Sequence, residues 1–328
     1  MKFLSMCLFA AVSLISTGCD NIAPTGDAVS EKVADARARN DGPAIWLVED
    51  YDSKLYIFGT VHLLPDTLDW QREDMRQAFA EAGTVFFEVD TGEEGQIQAA
   101  VLTTSLGMRS DGLRLSDSLD NYQLKLLDAA ANNGNLTVAS LDSMKPWLAS
   151  EFLTFAAATN AGLLPDLSAD EALKSRAARS GKNVIYLETM EDQIRSSAEL
   201  PEFVQLSMLT ETMEKFNTLG IDMVNIANAW AVGRTDVLTQ RLVQPMRERA
   251  PEVFNALLRD RNRAWSSQLT RFMEDSGTGF VAVGTAHLLG EESLLEEMRE
   301  AGYTVSRYYA FQGDDVIEPI NPTIERAE

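Results

Sequence analysis

The chain has 328 residues but only two histidines, and both fall in the same phrase. One copy reads Gly59-Thr60-Val61-His62-Leu63-Leu64 and the other Gly284-Thr285-Ala286-His287-Leu288-Leu289. Each copy follows an apolar run that reads as a strand, residues 55–58 and 280–283. Each is then followed by a helical pattern, a glycine and a second strand. In the N-terminal unit these are residues 70–82, Gly83 and residues 84–89; in the C-terminal unit, residues 291–301, Gly302 and residues 303–305. A helical crossover joins parallel strands, so the two strands of each unit are expected to be parallel neighbours. The fold class this predicts is α/β: a mixed or mostly parallel sheet built from two related strand–GTxHLL–helix–strand units. A large helical layer, residues 93–275, is expected as an insertion between them.

Around this frame the pattern predicts further elements. Residues 44–48 and 55–58 flank Asp50-Tyr51-Asp52-Ser53-Lys54 and read as a hairpin. Within the insertion, Ser116-Asp117 is expected to cap a helix reaching residue 132, and residues 136–141 read as a strand. Helices are expected over 143–161 and 170–180, a strand over 184–187, and helix almost throughout 201–274. No linker divides the body.

The N-terminus is a separate module. Residues 1–19 carry Lys2, an apolar run over 3–15 too short to span a bilayer, and Ser16-Thr17-Gly18 before Cys19. This resembles a bacterial lipoprotein signal, although Ser16 stands where leucine is usual. The resemblance implies export, with a lipid anchor at Cys19 on the periplasmic side of the cell envelope, or secretion if Cys19 is not lipidated. Cys7 and Cys19 are the only cysteines. The mature body therefore offers no disulfide, no cysteine metal site and no thiol nucleophile. Residues 20–43 read as a polar tether, 44–310 as the folded domain and 311–328 as a tail. A net charge of −22 argues against nucleic acid as a partner.

A lone histidine is more often structural than catalytic, but two in duplicated glycine loops at strand ends point to a shared site. Two imidazoles make an incomplete set for a divalent cation, which ordinarily adds a carboxylate and keeps a position open. Glu88, in Phe86-Phe87-Glu88-Val89-Asp90, is the candidate, because a carboxylate in so apolar a run needs a cation or a donor. It would serve as ligand or as general base, with Asp90 as its alternate. Glu188 and Asp142 each follow a predicted strand. Arg261-Asn262 lies in a charged helix whose plain reading is a solvated face. No His-Glu-x-x-His helix, P-loop, dinucleotide fingerprint or Gly-x-Ser-x-Gly elbow occurs.

These motifs in this order resemble the TraB/GumN family, whose animal relatives are the Tiki proteins. The resemblance spans residues 44–310 and rests on the two Gly-x-x-His phrases, Phe87-Glu88, Lys145-Pro146-Trp147, Leu187-Glu188-Thr189 with Gln193, and Arg261-Asn262 with Trp265. It implies a metal-dependent, peptidase-like hydrolase acting on a peptide or protein. His62, His287 and Glu88 would hold Mn²⁺ or Co²⁺, with Zn²⁺ also compatible with such a set. Arg261 and Asn262 would support the site. The same resemblance also admits a lipoprotein that binds a peptide or pheromone without cutting it.

Overall fold

The structure is a computed structural model and describes residues 42–309. The signal segment, Cys19, nearly all of the tether and the tail lie outside the described residues. The sheet has six strands: β1 (Ile45–Glu49), β2 (Ser53–Thr60), β3 (Thr84–Phe87), β4 (Asn183–Tyr186), β5 (Gly277–Gly284) and β6 (Thr304–Arg307). Their spatial order is β4-β3-β5-β2-β1-β6. β1 is antiparallel to both of its neighbours, and the other pairings are parallel. The hairpin expected at its turn forms, with Asp50 Oδ1 accepting from the Asp52 and Ser53 amides. The fold is the α/β class expected, with a mixed, mostly parallel sheet and a large helical part.

The pairing inside the units differs from expectation. β2 and β3 are separated by β5, and β5 and β6 are separated by β2 and β1. The two units interleave, so the histidine-bearing strands pair with each other from Ser53↔Gly277 to Thr60↔Gly284. The physical reason is length. β2 and β5 have eight residues each, whereas β3 has four. Pairing the two long strands satisfies both ladders along their whole length, which a four-residue partner cannot do.

Both sheet faces are covered, as apolar parallel strands require. Leu55, Ile57, Val281 and Val283 pack with Trp265, Leu269 and Met273 of the helix Asp260–Met273, and with Leu294 and Met298 of Leu294–Glu300. Tyr56, Phe58, Phe280 and Ala282 face the helices Glu73–Glu81 and Ala169–Ser180 and the second half of the long helix Glu202–Ala231.

A third core lies within the helical layer, where Pro146–Asn160 packs on the first half of Glu202–Ala231 around Trp147, Leu153 and Leu209. Leu63 and Val89, the residues after His62 and Glu88, belong to this core. The seam between sheet and helical layer therefore runs past both candidates. The strand expected at 136–141 is instead a helical turn, Val138–Leu141, capped by Thr137 Oγ1 accepting from the Ser140 amide (3.1 Å). The β-prone residues there pack into the core of the helical layer, so packing overrides propensity. Asp120, not Ser116 or Asp117, caps the next helix, Asn121–Asn133. The predicted helical stretch from 201 onward is interrupted by two π-helical turns, Thr239–Val243 and Asn255–Arg259. Among the described residues no helix is long and apolar enough to cross a membrane.

Candidate functional site

Four parallel strands end at one edge of the sheet. Just past their carboxyl ends come Glu188 (β4), Glu88 (β3), the turn Thr285–Leu288 with His287 (β5) and His62 (β2). This is the edge at which open α/β sheets bind ligands. The ladder runs on past β3 and β4, with the Leu187 and Glu188 amides donating to the Phe87 and Glu88 carbonyls (2.9 and 3.0 Å). The two repeat glycines serve different ends. A Cβ on Gly59 would lie 2.7 Å from Thr285 Oγ1 and 3.1 Å from Thr285 Cα, so its absence lets the second loop approach the first. The Gly59 carbonyl accepts from buried Trp230 Nε1 (2.7 Å), which ties the loop to the long helix.

His62 is held by a residue 108 positions away. Its Nδ1 lies 3.0 Å from Asp170 Oδ2, and Thr60 Oγ1 donates to Asp170 Oδ1 (2.8 Å). The Ala169 amide donates to the Val61 carbonyl (3.2 Å), so the start of that helix is laced to the His62 loop. The side chain is 27 % exposed, but its Nε2 atom is itself buried. Burial alone would lower its pKa, but the Asp170 carboxylate, with help from Glu88, outweighs that and raises it above 6.5. Asp170 moves the opposite way: burial favours its neutral form, yet His62, Lys174 and Thr60 together hold its pKa below the usual value.

His287 is the opposite case. Its side chain is fully buried. Asn262 Nδ2 donates to the Glu292 carbonyl (2.8 Å), which leaves Asn262 Oδ1 to accept from His287 Nδ1–H (2.7 Å). His287 Nε2 then accepts from Arg261 Nη1 (3.1 Å). Burial, and after it the neighbouring guanidinium, push its pKa well below 6.5, so this ring is neutral. Trp265 packs against it, with centroids 4.3 Å apart.

Arg261 is the hub of the cluster. Nη2 donates to Glu88 Oε2 (2.9 Å) and Glu188 Oε1 (2.6 Å), and Nε donates to Glu188 Oε2 (2.9 Å). Its guanidinium carbon lies 4.7 Å from the Trp265 ring centroid. The planar fork suits this simultaneous bonding in a way a lysine would not. Glu88 is further held by Gln193 Nε2 at Oε2 (3.1 Å) and by the Gly284 amide at Oε1 (2.6 Å). Burial raises the Glu188 pKa even against Arg261. Lys174, one turn after Asp170, donates to Thr91 Oγ1 (2.7 Å), and burial lowers its pKa.

The bare face of Gly284 is the meeting point. The position a Cβ would take there is 3.2 Å from Glu88 Oε1, 3.6 Å from His287 Cδ2 and 3.7 Å from His62 Nε2. Gly284 has φ −52° and ψ 134°, open to any residue, so space rather than backbone geometry distinguishes glycine here. His62 and Gly284 also line a largely apolar pocket.

The donors expected to hold a divalent ion are here hydrogen-bonded to other protein groups. Both His287 nitrogens are committed, one to Asn262 and one to Arg261. Both Glu88 oxygens accept from N–H donors, and the positive charge that meets the acids is Arg261. Among the described residues no group of three His, Cys, Asp or Glu side chains is placed to hold a metal ion.

His62, His287, Glu88, Arg261 and Asn262 are thus brought to one place, and Glu188 joins them. Asp90 does not; its Oδ1 accepts from the Gly92 amide and Tyr186 Oη at the start of the next helix. Asp142 lies in the helical layer, accepting from the Ser116 amide. Asp170 and Lys174 belong to no motif that the sequence singles out. Both sit in the first turns of an ordinary capped helix, and an acid in that position is normally a surface dipole partner. The one available signal was their spacing of four, which puts them on one helix face.

The family model described as the TraB/PrgY/gumN family matches residues 44–307. The chain is similar to the uncharacterized protein YbaP of Escherichia coli (strain K12), at 24 % identity over 185 residues, or 56 % of this chain and 68 % of YbaP. YbaP of Shigella flexneri matches at the same 24 % over 185 residues. No solved structure gives a significant match.

Proposed function

The chain belongs to the TraB/PrgY/gumN family, and from that premise we propose that it hydrolyses a peptide-type bond at the carboxyl edge of its sheet, with His62 as the proton-transfer group. The observation that carries this reading is the convergence of His62 Nε2 and Glu88 Oε1 on the side of Gly284 where a Cβ would lie. A base oriented by a carboxylate, next to a second carboxylate and an apolar pocket, is an arrangement suited to proton transfer from a water bound between them. His62 Nε2 takes a proton as the water oxygen bonds to the substrate carbonyl carbon, and Asp170 stabilises the imidazolium. The same proton passes to the leaving nitrogen as the C–N bond breaks. Glu88 Oε1 orients the water, Arg261 fixes Glu88, and neutral His287 fixes Arg261.

The test is a peptide library incubated with the full chain in detergent and read by mass spectrometry. It would be run with chelator and with added Mn²⁺, Co²⁺ or Zn²⁺. The proposal expects cleavage that survives chelation and falls about 10²–10⁴-fold in His62→Gln, the range of general acid–base contributions. Cleavage strictly dependent on added metal would favour the metallopeptidase that the family resemblance implies. Saturable peptide binding with no product would favour a binding lipoprotein and contradict hydrolysis. Export and lipid anchoring at Cys19 are part of the same proposal. Radiolabelled palmitate should enter the native chain but not Cys19→Ser.

A further inference from the structure

The pocket beside His62 is walled by Met223 and Ile226 of the long helix, by Leu242 and Met246, and by Leu257 and Leu258. Its volume is ≈ 100 Å³. An engineered apolar cavity of about 150 Å³ takes a benzene molecule, so this space matches one aliphatic side chain and is too small for an extended acyl chain. Leu242 lies in the first π-helical turn, and Leu257 and Leu258 in the second. Single π turns within helices are uncommon and concentrate at functional sites, because the extra residue redirects side chains that a regular helix would point elsewhere. The second turn is also tied to the charged cluster, since Arg261 Nη1 donates to the Leu257 carbonyl (3.0 Å). Leu257 and Leu258 of the pocket wall therefore run directly into the helix that carries Arg261, the group that fixes Glu88.

We infer that this pocket is a specificity subsite for a single leucine- or methionine-sized side chain, on the residue next to the bond presented to His62. The substrate class it names is peptides with an unbranched or γ-branched aliphatic residue at that position. Polar residues would leave a group unpaired against the apolar wall, and alanine would leave the space unfilled. This inference rests on the hydrolase reading for the bond that is cut, but the occupancy of the pocket does not.

Met223 and Met246 make the pocket directly observable. The full chain carrying ¹³C-methyl methionine would be titrated with the N-acetyl amides of leucine, methionine, alanine and aspartate and with a decanoyl amide. The two resonances would be assigned with Met223→Leu and Met246→Leu. The leucine and methionine amides are expected to shift both methyls and to bind at least 10-fold more tightly than the alanine amide, the lower end of what a missing methylene is worth in a hydrophobic pocket. Leu258→Gln should abolish the shift, and Ala227→Met, which fills the pocket from the helix side, should do so even if Leu258→Gln does not fold. Unchanged methyls, or equal binding of leucine and aspartate amides, would overturn the assignment, as would tighter binding of the decanoyl amide. In the peptide library, cleavage without aliphatic preference would overturn the subsite while leaving hydrolysis standing. Methyl shifts without any cleavage would refute hydrolysis while the pocket assignment stands.

Discussion

The glycines of the repeated phrase show how one residue type serves packing in one copy and space for chemistry in the other. At Gly59 a methyl group would meet the Thr285 backbone and hydroxyl. Gly59→Ala is therefore expected to destabilise by about 1–3 kcal/mol, the scale of overpacking, measurable by urea denaturation. At Gly284 the methyl would enter the space between Glu88 and His62. Gly284→Ala should retain the fold while losing most of the hydrolysis, so the two substitutions separate packing from chemistry. Arg261→Met should be more damaging than either, at about 3–5 kcal/mol, because it leaves Glu88 and Glu188 buried without their shared cation. These roles were only partly legible in the sequence. The repeat identified the histidines, and the apolar setting of Glu88 marked it as needing a partner. That partner proved to be Arg261, whose helix reads as a solvated charged face because Arg259, Asp260 and Arg263 surround it.

Among elements, the helix Ala169–Ser180 carries information that the strands lack. It packs on the sheet through Leu173 and Ala177, and its first turn is fastened to the His62 loop by Asp170 and the Ala169 amide. Asp170→Asn keeps the shape but removes the charge. It is expected to accelerate hydrogen exchange in the first turns of that helix, while amides of β2 and β5 keep their protection. The same substitution should move the acidic limb of the pH–rate profile downward, because it removes the pull that raises the His62 pKa. Unchanged exchange and an unmoved limb would mean that Asp170 is incidental. The strands themselves were readable, since apolar runs ending in the repeated loops predict β2 and β5 directly. Their adjacency was not readable, because strand order depends on ladder lengths across the whole sheet rather than on either unit alone. Residues 136–141 misled in the other direction: a β-prone run with no strand beside it became a helical turn.

At the scale of the whole molecule, the two histidines tilt stability in opposite directions around pH 6.5. The His62 pKa is raised on folding, so its contribution is full below the unfolded value near 6.5 and is lost as pH rises through the higher folded value. His287 is lowered, so its contribution is present above 6.5 and is lost progressively as pH falls toward the folded value. Urea midpoints from pH 5 to 9 should therefore lose their alkaline decline in His62→Gln and their decline below pH 6.5 in His287→Gln. These opposite signs follow from the architecture. The interleaved sheet sets one copy of the phrase at the open seam with the helical layer, and the other beneath Arg261 and Trp265. With only two imidazoles in the chain, ¹³Cε1-histidine NMR across pH gives two resonances and reads the two sites separately. One resonance is expected to titrate above pH 6.5, to move to lower pH in Asp170→Asn and to disappear in His62→Gln. The other, lost in His287→Gln, should stay at the neutral shift down to the pH at which the protein unfolds. Two resonances titrating together near 6.5, both indifferent to Asp170→Asn, would contradict this difference between the two sites.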